Sequence, residues 1–145
     1  MKNFLSYLSE LFDRPFPYKM EKGGFGKSGQ TIVSFLVEPK DEVRVILDYY
    51  GDTLSVNFTR NGSLEITGGG FAERILATVL EIVKKFSTVE VPAEIQIISS
   101  DSDSRSRVYE RMIGRHAKSM GFELVGVQKK GPETWFFLSH ESNVF

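Results

Sequence analysis

Apolar residues recur along this chain with two different periods, and each change of period marks an element. Over 2–13, Phe4, Leu5, Leu8, Leu11 and Phe12 follow the spacing of one face of an amphipathic helix. Pro15 and Pro17 stop it, so 1–17 reads as a helix and a proline linker. Such a helix suits a membrane or a partner if exposed, and the domain's own core if it docks there. A glycine-rich loop, 21–29 (EKGGFGKSG), comes next. The period then drops to two. Strands are expected at 30–38, 42–50 and 52–60. In the last of these, Leu54, Val56 and Phe58 alternate with Ser55, Asn57 and Thr59. Pro39-Lys40-Asp41 and Gly51-Asp52 supply hairpin turns, and Asn61-Gly62 leads into a short strand at 63–67.

The helical period returns after Gly68-Gly69-Gly70. Phe71, Ile75, Leu76, Val79, Ile82, Val83 and Phe86 give a helix over 71–86 with a broad apolar face, which must be buried. Pro92 leads to an interior strand at 94–99. A second helix covers 104–120, with Val108, Tyr109, Met112, Ile113, His116 and Met120 inward and Gly121 as its stop. Strands at 122–128 and 133–140 follow, joined by Lys129-Lys130-Gly131-Pro132. The order α-β-β-β(-β)-α-β-α-β-β predicts one α/β (α+β) domain over 1–145, with its core in 30–140. The economical packing is a mixed, mostly antiparallel sheet with helices on both faces. A right-handed crossover should make a parallel step in the middle of that sheet.

Composition narrows the chemistry. The chain has 145 residues, 41% hydrophobic and 26% charged, enough for a real core. It has no cysteine, which removes disulfides, thiolate metal sites and a cysteine nucleophile. A net charge of −1 speaks against nucleic acid as a partner. No apolar run approaches the roughly 20 residues needed to span a bilayer. Acidic residues interrupt the first apolar stretch, so no secretion signal is read and a cytosolic setting is expected.

Few motifs suggest a site. Gly26-Lys27-Ser28 invites a phosphate-loop reading, but the spacing needs glycine at 21, where the chain has Glu21, and a strand follows instead of a helix. Gly68, Gly69 and Gly70 sit between a strand and a helix, where backbone N–H groups and the helix dipole favour an anion. The same glycines also serve a tight turn into a closely packed helix. Arg107, Arg111, Arg115 and Lys118 form one basic stripe, expected beside the apolar face of their helix. It suits phosphate or an acidic partner; its plainer use is a solvated face with a local pair such as Arg107 and Glu110. Asp101 and Asp103 lack the glycine and glutamate of a calcium loop and suit a helix cap. His116 and His140 are the only histidines, and no pair has metal-ligand spacing. Tyr109 is placed to donate a proton to a leaving group or to act as a hydrogen-bonded core residue.

The element order, with Gly68-Gly69-Gly70 and the segments Val108-Tyr109-Glu110-Arg111 and Gly121-Phe122, resembles the GNAT acyltransferase family. That family's pyrophosphate loop reads Gln/Arg-x-x-Gly-x-Gly/Ala; this chain matches at the glycines and carries Glu65 at the first position. The resemblance implies an acetyl-coenzyme A-dependent N-acyltransferase, with Gly68–Gly70 on the pyrophosphate and Tyr109 as general acid. Glu65 works against such binding. At residue level, Asn61–Gly70, Ala77–Ile82, Ser104–Met112 and Trp135–Ser139 are similar to an uncharacterised bacteriophage domain. That similarity implies a phage accessory or virion-associated protein in the host cytoplasm or the virion. It would act by binding a phage structural or host protein, without a cofactor, and a homo-oligomer is compatible with it.

Overall fold

The computed structural model describes residues 15–24, 29–61, 72–99 and 103–143. The predicted helix at 2–13, the short strand at 63–67 and Gly68–Gly70 lie outside the described residues. Among the described residues seven strands form one sheet: β1 Lys19–Lys22, β2 Gln30–Glu38, β3 Asp41–Tyr50, β4 Thr53–Arg60, β5 Glu94–Ser99, β6 Phe122–Lys130 and β7 Glu133–His140. Helix α1, Ala72–Val89, joins β4 to β5, and α2, Asp103–Met120, joins β5 to β6. The spatial order is β1-β2-β3-β4-β5-β7-β6. Every neighbouring pair is antiparallel except β4 and β5, which run parallel from Thr53 opposite Glu94 to Asn57 opposite Ile98. The expected mixed, mostly antiparallel sheet with a central parallel step is therefore present.

One face of the sheet is the core. Val33, Val45, Phe58, Val56, Ile97 and Phe136 lie on it in successive strands, each with no exposed surface. Their β-branched and aromatic shapes fit a pleated surface, and truncating one such side chain costs about 2–5 kcal/mol. Both described helices cover this face. Phe86 of α1 stacks on Tyr49, with ring centres 5.4 Å apart, and Tyr49 is opposite Leu54. Leu124, opposite core-facing Leu138, meets α2 at Gly114, and the two helices touch each other. The arrangement with helices on both faces thus has no second layer among the described residues. Its one remaining helix, 2–13, lies outside them.

Several boundaries differ from expectation: β6 takes in Lys129 and Lys130, expected in the turn before β7, and β3, β4 and α2 each start one residue from the expected place. Helix α1 runs to Val89, beyond 86, and the Ser87 and Thr88 hydroxyls donate to the Lys84 carbonyl at its end. Strand β1 was not expected, and it takes Glu21 and Lys22 out of the glycine-rich loop. Its sequence, KMEK, is polar and mostly exposed, so no apolar alternation announces it. The loop instead opens at Gly23, at φ +79°. A Cβ there would lie 2.7 Å from the Thr31 hydroxyl oxygen, so only glycine fits.

The proline segment is tied to the core. Phe16 stacks on Phe35 at 5.7 Å, and its N–H donates to the buried Thr78 hydroxyl at 2.8 Å. The Arg74 guanidinium sits 3.8 Å above the Phe16 ring.

Candidate functional site

Ligands of open sheets with parallel strands favour the crevice beyond the strands' carboxyl ends, and here that end belongs to β4 and β5. Leu54, Val56 and Phe58 point into the core, and Arg60 continues their parity. It is therefore a cation in an apolar register, with 6% of its surface exposed. Asp41, at the start of β3, answers it with a fork: Nε donates to Oδ1 at 2.9 Å and Nη2 to Oδ2 at 2.6 Å. The Arg60 bonds hold the Asp41 carboxyl below the usual carboxylate value, and Asn61 adds a further N–H at 3.1 Å. Reciprocally, Asp41 raises the affinity of Arg60 for its proton, with smaller help from Glu38 and Tyr109.

Asn61 completes the lock. It adopts φ +52°, its side-chain oxygen accepts from the Glu42 N–H, and its own N–H donates to the Glu42 carbonyl. Asn61 thus holds the end of β4 to the start of β3.

Tyr109 of α2 comes to the same end of the sheet and is fully buried. Ser99 and Thr134 face each other across β5 and β7 and are buried too. The Ser99 hydroxyl has no hydrogen-bond partner. The structure therefore brings Tyr109 together with Arg60, a residue that no sequence motif marks. The signal for Arg60 was present: a charge at the inward position of an alternating strand.

The basic stripe has the opposite character. Arg107, Arg111, Arg115 and Lys118 are all exposed. They lie on the side of α2 turned away from buried Tyr109, Ile113 and Ala117, and not beside the apolar face. Arg107 makes no ion pair with Glu110, and none of the four is in an ion pair among the described residues. Along α2 they span about 16 Å at 1.5 Å per residue. Between α2 and β6 lies a groove of about 490 Å³ lined by Gly114, Arg115, Lys118, Glu123 and Leu124.

His116 is half-buried on α2, and His140 bonds the Ser142 hydroxyl at 2.8 Å and meets the Phe122 ring edge-on. No group of three or more histidine, aspartate or glutamate side chains able to hold a metal occurs among the described residues. No helix among them is long and apolar enough to cross a membrane.

The chain belongs to a family of unknown function, DUF6934, whose family model matches residues 57–144. No curated protein matches its sequence. Among solved structures it is similar to an acetyltransferase of the GNAT family from Streptococcus pneumoniae, with a TM-score of 0.43 and 10% identity. That match covers 79% of this chain and 68% of the other.

Proposed function

We propose that this member of a family of unknown function acts by binding a protein partner, through the basic crest of α2. The carrying observation is that Arg107, Arg111, Arg115 and Lys118 are exposed together with no ion pair among the described residues. Four cations of one sign on a rigid helix attract an acidic surface, steer its approach and select against basic ones. The sequence resemblance to a bacteriophage domain supports an accessory or virion-associated role, with a phage structural protein or a host protein as the partner. The setting would be the host cytoplasm or the virion.

Affinity capture from infected cells and purified virions, with wild type and Arg111→Glu/Arg115→Glu side by side, tests this. The reading expects an acidic protein that wild type retains and the charge-reversed chain loses. Equal retention by both would overturn it.

A second reading, an acetyl-coenzyme A-dependent N-acyltransferase, draws on Tyr109 at the carboxyl ends of β4 and β5. The described residues do not fit that cofactor as they stand. Phe58 and Tyr109 have no exposed surface, and Asp41 occupies the Arg60 guanidinium. Calorimetry with acetyl-coenzyme A decides it: micromolar binding abolished by Gly69→Glu would put the enzyme reading first, and no heat at millimolar ligand would end it.

A further inference from the structure

The two edges of the sheet are not alike. On one side β1 has four residues, a break in register between Met20 and Lys22, and Glu21 held by Arg44 at 3.4 Å. Short, bulged and charged, it is a poor template for another strand. On the other side β6 has nine residues. A bulge between Leu124 and Gly126 interrupts it, but from Gly126 to Lys130 it pairs with β7 without a break. That run leaves a regular row of backbone donors and acceptors turned outward. Val127 lies opposite fully buried Phe136, yet 43% of its surface is exposed, because no strand among the described residues flanks β6 on its outer side.

The surroundings of this edge carry a net positive charge. Helix α2 packs mainly over β6. Its cations Arg105, Arg107, Arg111, Arg115 and Lys118, with Lys129 and Lys130 on the strand, outnumber Asp103, Glu110 and Glu123 on the same two elements. The chain as a whole carries −1, so this flank is a local excess of positive charge on a molecule that is otherwise acidic.

We infer that an acidic, extended segment of a partner protein adds to the sheet as an eighth strand along Gly126–Lys130, its carboxylates turned toward α2. This rests on the binding reading above and specifies its mode. The backbone row supplies affinity regardless of side chain, and the cations of α2 select acidic sequences. An added strand would also cover Val127.

The only tryptophan, Trp135, is opposite Gln128 of β6, and the Lys130 ammonium lies 4.0 Å over its ring. Its fluorescence therefore reports on this edge. The probe is a synthetic peptide of about six residues alternating glutamate and valine, the length of an ordinary strand. A twin with alternate peptide nitrogens methylated keeps every charge and loses the donors on one edge. Strand addition predicts saturable quenching or enhancement of Trp135 by the first peptide. It predicts at least tenfold weaker binding of the twin methylated on the docking edge, and the same loss for the first peptide on Arg107→Glu/Arg111→Glu. If both methylation patterns bind as well as the parent peptide, strand addition is overturned while the acidic-partner reading stands. If no acidic peptide binds and the charge-reversed chain behaves as wild type, both fall.

Discussion

Arginine appears in this protein in two opposite settings. Arg60 is buried, forked onto Asp41 and placed at the end of a core strand. Arg111 and Arg115 are exposed on α2 with no ion pair among the described residues. The guanidinium is the same, and the difference lies in what surrounds it. Burial strips water from a charge, so the fold must return a partner, and the side chain becomes part of the architecture. Exposure leaves the charge hydrated and its interaction capacity open to another molecule. Removing the first should therefore damage the fold, and removing the second should damage only recognition.

The sharpest break of that contrast is Arg60→Ala. It strands the Asp41 carboxylate in a mostly buried position, and about 3 kcal/mol of stability should be lost in urea unfolding. Replacing both partners, Arg60→Leu with Asp41→Leu, should recover most of it, since no charge is then left unanswered. A double variant as unstable as the single would show that the fork is not the cause.

Acid probes the same pair without removing it. The Asp41 pKa is depressed below its ordinary value of 3.8, so its contribution is fully present above that pH. As pH falls below 3.8 and through the folded-state value, the contribution disappears. The stability gap between wild type and Asp41→Asn should therefore be constant from neutral pH down to mildly acidic pH, then close. A gap that stays the same in strong acid would separate Asp41 from the fork.

Gly114 sharpens the exposed side. It lies inside α2, and an added Cβ would be 3.8 Å from a Leu124 methyl, an ordinary contact. Gly114→Ala should raise stability by about 0.5–1 kcal/mol, because an unstrained alanine loses less backbone freedom on folding. Loss of stability would show that the floor of the groove is closer packed than these distances give. The smallest change is expected from Arg111→Glu/Arg115→Glu, within about 0.5 kcal/mol of wild type. A larger loss would assign these side chains a structural role.

The core strands were legible because alternation marks them directly. Leu54, Val56 and Phe58 needed no tertiary information to be placed inward. The parallel step followed from a helix separating two apolar strands. Three features were harder to read. The polar strand β1 gains its conformation from pairing with β2, which a local pattern does not register. The basic stripe was expected beside the apolar face, whereas Tyr109, Ile113 and Ala117 mark the buried side of α2 opposite to it. The Arg60 fork joins residues 19 positions apart through a register that only the folded hairpin creates. Arg60 itself was visible as a parity violation; its partner was not.

The strand order has a consequence for how the chain reaches this state. Residues 133–140 are the last of the described strands to leave the ribosome, yet β7 occupies an interior place, between β5 and β6. Until it inserts, β5 lacks its antiparallel neighbour and β6 has no neighbour in the sheet. The His140 N–H then closes onto the Ala93 carbonyl at 2.9 Å, and the Glu141 N–H onto Gly121 at 3.0 Å. Completion of the sheet therefore waits on distant contacts made late in synthesis. Nascent chains that stall within 122–132 should be held in a collapsed, protease-sensitive form until the final strand arrives.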